Sequence, residues 1–129
     1  MTKLVVRNLE MTFAGPPPVR VIEPTDLEVR DGELVCILGP SGCGKSTFLQ
    51  IVAGFIKPSA GTVMIDGTPV TGPDRKRIFV FQERGVFPWL TVDENIAFGL
   101  ADLPRAKRTE IVARYVDLVG LKGFERAYP

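Results

Sequence analysis

The chain has no histidine and only two cysteines among its 129 residues. Two cysteines without histidine make no metal site. Cys36 stands in an apolar run and reads as a small buried hydrophobe. Cys43 stands in a glycine-rich loop, which a disulfide to Cys36 would distort, so the two read as free thiols in a reducing compartment. There is no excess of charge either. The net charge is +1, which supplies no general attraction to nucleic acid or to an anionic membrane. The basic runs Arg75-Lys76-Arg77 and Arg105-Ala106-Lys107-Arg108 read as solvated faces. The start, Met1 to Arg7, lacks the apolar stretch of a secretory signal. The longest apolar run, Leu34 to Leu38, is far too short for a membrane span. A cytoplasmic protein is expected, with any membrane role exercised through a partner. Internal repeats and low-complexity tracts are also missing.

What is present is the make-up of a soluble domain, with 45% hydrophobic and 24% charged residues. The length suits one domain better than two. Leu4-Val5-Val6 and Leu27 to Arg30 have strand character. Between them Pro16-Pro17-Pro18 excludes helix. Asp31-Gly32 signals a turn. Leu34-Val35-Cys36-Ile37-Leu38 does not alternate, so it predicts a strand covered on both faces in a parallel sheet. A helix is expected from Lys45 to Ala53, with Phe48, Leu49 and Val52 as its apolar face and Gly54 as its stop. Thr62 to Ile65 reads as a strand followed by an Asp66-Gly67 turn. Ile78 to Phe81 reads as a short buried strand, and residues 83 to 90 as a loop. Thr91-Val92-Asp93-Glu94 is a capping-box pattern that starts a helix towards Gly99. Pro104 opens a further helix. Ile111, Val112, Tyr115, Val116, Leu118 and Val119 form its stripe, and Gly120 ends it.

One motif carries chemistry. Gly39-Pro40-Ser41-Gly42-Cys43-Gly44-Lys45-Ser46 has the Walker A spacing, between an apolar run and a helix pattern. Phosphate oxygens need several backbone N–H groups at close range. Gly39, Gly42 and Gly44 clear side chains from that approach and permit positive φ. The helix N-terminus that follows offers free N–H groups and a favourable dipole. Lys45 can set its ammonium against the β- and γ-phosphates, and the Ser46 hydroxyl can coordinate Mg²⁺.

The wider pattern resembles the ATP-binding cassette, the ATPase subunit of ABC transporters. Leu38 through Thr47 is similar to the cassette version of Walker A. Val80-Phe81-Gln82-Glu83 is similar to the Q-loop. Phe87-Pro88-Trp89-Leu90-Thr91-Val92-Asp93-Glu94-Asn95-Ile96 is similar to the start of the helical subdomain. Phe13 stands where the family has an aromatic A-loop residue. Thr71 to Arg75 and Phe87-Pro88-Trp89 resemble the nitrate, sulfonate and taurine importers. The resemblance implies an α/β fold: a P-loop NTPase core with an N-terminal antiparallel β subdomain and the start of a helical one. Residues 1–90 would form the first and 91–129 begin the second. It implies ATP and Mg²⁺ as cofactors, with Phe13, Gly39, Pro40, Ser41, Gly42, Cys43, Gly44, Lys45, Ser46, Thr47 and Gln82 at the nucleotide, and Ser46 and Gln82 at the metal. Phe13 would stack on adenine, or else serve as a core phenylalanine. Gln82 would report nucleotide state to the membrane subunit. Trp89 would anchor a membrane-subunit helix or pack under the helical subdomain. Implied partners are permease subunits, a second cassette and, indirectly, an extracytoplasmic solute-binding protein. The chain would lie peripherally on the inner face of the membrane.

The resemblance also implies what these residues do not contain. The family continues with a signature motif, a Walker B acid, a catalytic glutamate and a switch histidine. The expectation is therefore a truncated cassette with no complete catalytic set and negligible hydrolysis of its own. Two alternatives come from other classes: a non-hydrolysing nucleotide-binding or regulatory module of this length, and an unrelated P-loop kinase, against which the Q-loop and Phe-Pro-Trp stretch argue.

Overall fold

A computed structural model describes residues 2–82 and 85–129. They fall into two compact units, Met1–Phe79 and Val80–Pro129.

The first unit is an antiparallel sheet with one helix against it. Strand β1 is Thr2–Phe13 and β2 is Val19–Arg30, both longer than the apolar patches that announce them. Helix α1 (Lys45–Ala53), β3 (Ala60–Ile65) and β4 (Thr68–Pro69) follow, and the sheet order is β2-β1-β3-β4. Buried Val6, Leu9 and Met11 do not keep a strict alternation. The register shifts between Val6 and Leu9, where Asn8 has φ 46°. A bulge of this kind inserts a residue, so side chains three apart face one side. The Asn8 N–H, lost to the ladder, donates to Asp26 Oδ1 at 2.7 Å. Opposite the bulge Gly61 has φ +82°, and a Cβ there would stand 2.2 Å from the Asn8 carbonyl oxygen. Only glycine fits both conditions.

The core joins Val6, Leu9, Met11, Ile22 and Val63 of the sheet to Phe48 and Ile51 of α1. Each fully buried side chain of this size contributes about 1.5–3 kcal/mol. The face of α1 differs from expectation. Ile51 is fully buried and Leu49 exposed, with Val52 half-buried. Gly54 ends the helix in the left-handed region, as expected. The Asp66-Gly67 turn between β3 and β4 has positive φ at both residues.

Two expected strands are absent. Leu34 to Leu38 has no ladder and no regular structure, and Leu34 and Leu38 are 89% and 91% exposed. Cys36, expected in the core, is exposed with it. Ile78 to Phe81 is likewise no strand, with Ile78 and Val80 almost fully exposed. The physical reason is common to both. A strand exists only where a neighbour accepts and donates its ladder bonds, and among the described residues none pairs with either segment. Phe79 is half-buried, edge-on to Phe55 at 5.3 Å.

The second unit holds α2 (Val92–Ala97), a 3₁₀ turn at Phe98–Leu100 and α3 (Arg105–Leu118). The capping box forms: Glu94 Oε2 accepts from the Thr91 N–H and from its hydroxyl, both at 2.8 Å. These bonds hold the Glu94 carboxyl below its ordinary value, the backbone bond more than the hydroxyl. The chain end closes the same helix start, as the Val92 and Asp93 N–H groups donate to the carbonyls of Ala127 and Glu125 at 3.0 Å. Pro104 stands at the N-cap position of α3, one residue before the helix, and makes no side-chain cap. Of the expected stripe only Val116 is buried. Ile111 and Val112 are half-buried, while Tyr115, Leu118 and Val119 are exposed. The short α2 cannot cover a stripe that wide.

Candidate functional site: a phosphate-type loop at the start of α1

The apolar run ends at Leu38, and residues 39 to 44 make an irregular loop with a turn at Ser41-Gly42. Gly42 and Gly44 have φ +81° and +94°. Gly44 is the N-cap of α1 and is pressed on β2: a Cβ there would stand 2.8 Å from the Val21 carbonyl oxygen and 3.0 Å from Val21 Cγ1. Position 44 thus needs glycine for conformation and for space. Its carbonyl accepts from the Phe48 N–H at 2.8 Å, the first turn of the helix. No side chain caps that end and no acid lies in its first turn. The N–H groups of the first turn therefore stay available, and the positive end of the dipole is uncompensated.

Lys45 folds back over the loop. Its ammonium donates to the Gly39 carbonyl at 2.7 Å and the Pro40 carbonyl at 2.6 Å, and lies 3.6 Å from Cys43 Sγ. Cys43, Gly44 and Lys45 line a cavity of about 540 Å³ whose other walls come from Val21, Ile22 and Leu27 among the residues of β2, from Val35 to Leu38, and from Phe48. Sequence reading did not anticipate the part played by Val21. No local signal marks it, because packing of α1 on the sheet brings it there.

The structure brings Gly39, Pro40, Cys43, Gly44 and Lys45 into one loop around the lysine ammonium. Ser41, Gly42 and Ser46 are exposed on the same loop and first turn, and Thr47 is half-buried. Phe13 ends β1 opposite Val19, is 42% exposed, and is not part of the cavity wall. Gln82 belongs to the second unit and is exposed. Glu83 lies outside the described residues.

A second feature stands in the other unit. Trp89 is 70% exposed. Its ring is 5.5 Å from Phe87, which is 4.4 Å from the half-exposed Phe98. Asn95 holds this loop in shape. Its Oδ1 accepts from the Phe87 N–H at 2.8 Å, and its Nδ2 donates to the carbonyls of Phe87, Leu90 and Thr91 at 2.9–3.0 Å. That clamp had no separate signature in the sequence.

The ABC transporter family model matches residues 22–129. The chain belongs to the ABC transporter family. Among curated ABC relatives, a putative ATP-binding protein of Brucella abortus (strain 2308) is 43% identical over 129 residues, 98% of this chain and 48% of the relative. The taurine import ATP-binding protein TauB of Roseobacter denitrificans is 42% identical over 129 residues, 97% of this chain and 48% of its own length. The aliphatic sulfonates import ATP-binding protein SsuB of Bacillus anthracis is 45% identical over 111 residues, 86% of this chain and 44% of that protein. The chain thus spans about half the length of the curated relatives it matches. Among solved structures, the ATP-binding cassette MJ0796, a dimer in a post-hydrolysis state with ADP and Pi, superposes with a TM-score of 0.82 at 27% identity. That match covers 98% of this chain and 61% of the cassette. The fold is therefore the sheet-and-helix part of an ABC ATPase. No helix among the described residues is long and apolar enough to cross a membrane.

Proposed function

We propose that this chain is the nucleotide-binding part of an ABC importer ATPase, with Gly39 to Thr47 holding the phosphates of ATP. The observation that carries the reading is the start of α1. A left-handed Gly44 wedged on Val21 delivers a helix end with no acid in its first turn, and a lysine ammonium arches over the same loop. Two neutral carbonyls now hold that ammonium. Triphosphate oxygens, being charged, would hold it more strongly. Backbone N–H groups of Gly42 to Ser46 would meet the remaining oxygens.

The donors present suit Mg²⁺. Ser46 offers an exposed hydroxyl beside Lys45, Gln82 a side-chain carbonyl, and both are hard oxygen ligands. When bound, the ion neutralises phosphate charge and orients the terminal phosphoryl group. Ser46 would hold it through its hydroxyl, and Phe13 would supply an exposed ring for adenine. Hydrolysis belongs to the whole cassette, since these residues hold neither the Walker B acids nor a histidine. Trp89 and its aromatic neighbours would dock a permease segment at the cytoplasmic face of the membrane. A second cassette would complete the site, and a solute-binding protein would act upstream. The names of the relatives favour uptake of a sulfonate such as taurine. Residues 1–90 would serve as the nucleotide-side subdomain and 91–129 as the beginning of the helical one.

The test is titration of the reduced chain with a fluorescent ATP analogue, with and without Mg²⁺. Mg²⁺-dependent binding is expected, weakened about tenfold or more, a loss of 1.4 kcal/mol or above, in Lys45→Ala. Equal affinity in Lys45→Ala, or no binding by the parent chain, overturns the assignment.

A further inference from the structure

We propose that Asn95 is a positioning residue for partner recognition: it presets the direction in which the Phe87-Pro88-Trp89-Leu90 turn presents its rings, so that a permease segment meets a turn already in its bound form. The inference rests on the reading above that Trp89 and its aromatic neighbours dock such a segment. The turn closes without Asn95. The Leu90 N–H donates to the Phe87 carbonyl at 3.1 Å, and Pro88 fixes φ at the second position. The bonds from Asn95 do something else: they tie the closed turn to α2. Asn95 Oδ1 accepts from the Phe87 N–H at 2.8 Å, and Nδ2 donates to the Phe87 carbonyl at 3.0 Å, so one amide holds both backbone groups of one residue. Nδ2 also donates to the carbonyls of Leu90 at 2.9 Å and Thr91 at 3.0 Å. It has two hydrogens for these three acceptors, so one hydrogen is shared.

The clamp needs a donor and an acceptor side by side on one short planar group. Aspartate would set an oxygen against three carbonyls, and leucine has the shape but none of the bonds. The base of the clamp is itself fixed. The Asn95 N–H donates to the Thr91 carbonyl at 2.9 Å, and the Val92 and Asp93 N–H groups donate to the carbonyls of Ala127 and Glu125. Glu94 closes the capping box on Thr91, which is buried. The turn therefore hangs from a helix start held by its own cap and by the chain end. Phe87, gripped at its backbone, has its ring 5.5 Å from Trp89 and 4.4 Å from Phe98. Aiming Phe87 aims the whole aromatic group. A turn ordered before docking leaves less ordering to be done on docking, which strengthens binding without any contact between Asn95 and the partner.

Trp89 is the only tryptophan of the chain, so its fluorescence anisotropy decay reads the turn directly. The experiment compares the chain with Asn95→Ala and Asn95→Leu, both of which raise helix propensity. Amide exchange is followed at Phe87 for the turn and over Val92 to Ala97 for α2. In both variants the fast local motion of Trp89 is expected to grow about twofold, and the Phe87 N–H to exchange about tenfold faster, with exchange in α2 no faster than in the parent. On proteoliposomes holding the permease subunits of an ABC sulfonate importer, both variants are expected to bind about threefold more weakly or worse. Unchanged Trp89 motion and Phe87 exchange in both variants overturn the proposal. So does faster exchange throughout α2 in both, which would make Asn95 a residue of the helix rather than of the turn. A loosened turn with undiminished binding overturns it as well. If Trp89→Ala binds the proteoliposomes like the parent, the docking reading fails, while the anisotropy and exchange still decide whether Asn95 aims the turn.

Discussion

Leu4 to Met11 carries Arg7, Asn8 and Glu10 among its apolar residues while Leu34 to Leu38 is apolar throughout, yet it is the less apolar segment that is buried. The first lies in β1, paired on both sides, with Val6 and Leu9 inaccessible to solvent. The second, and Ile78 to Phe81 with it, has no ladder and presents leucine, isoleucine and valine to water. Hydrophobicity alone does not make a strand. The difference is partners: β1 has β2 and β3 at its edges and α1 over its face. The Leu34 and Ile78 segments have no such neighbours among the described residues. The curated relatives are about twice as long as this chain.

The largest effect that would test this comparison comes from β1. Leu9→Ala should cost about 2–5 kcal/mol, the loss of a buried leucine plus its cavity. Urea denaturation of the first unit's sheet signal checks it. A cost below 1 kcal/mol would show that the sheet and α1 do not form the packed unit described.

An intermediate effect is expected in the second unit, whose order rests on caps more than on a core. Thr91→Ala removes the capping-box hydroxyl and should cost about 0.5–2 kcal/mol of local stability, read as faster amide exchange over Val92 to Ala97. The pH dependence has a definite sign. Glu94 is held below its ordinary value by the Thr91 N–H and hydroxyl. Its contribution is therefore complete above the ordinary glutamate value of 4.5 and fades as pH falls through the lower folded value. Glu94→Gln should flatten that acid-side change in exchange. Persistence of the same change in Glu94→Gln would place its origin elsewhere.

The smallest effect on stability is expected at the bare segment. Leu38→Ser should shift the denaturation midpoint within about 0.5 kcal/mol, since an exposed side chain gives up little on replacement. It should nevertheless reduce self-association at high concentration, because exposed apolar segments seek partners. Light scattering on the parent and the variant reads this. A core-sized loss of stability would show that Leu38 is packed.

Much of the site was legible. The spacing from Gly39 to Ser46 located the loop, Gly54 the end of α1, and Thr91 with Glu94 the start of α2. These are local signals, in which backbone conformation and capping chemistry depend on residues a few positions apart. Three features were not legible. The bulge at Asn8, which keeps Val6 and Leu9 on one face, depends on close approach by Gly61 from another strand. The Asn95 clamp on the Phe87 to Thr91 loop depends on how that loop turns back on α2. The choice of Ile51 over Leu49 as the buried residue of α1 depends on which way the helix is rotated against the sheet.

The sequence by itself determined the loop, the caps, the turns and the family, because each depends on residue types at fixed short spacing. Only the tertiary structure decided which apolar segments become strands and which residues stand behind the loop. Ladder partners and buried faces come from distant parts of the chain. The glycine at position 44 shows both levels at once: its place in the motif is local, and its necessity against Val21 is not.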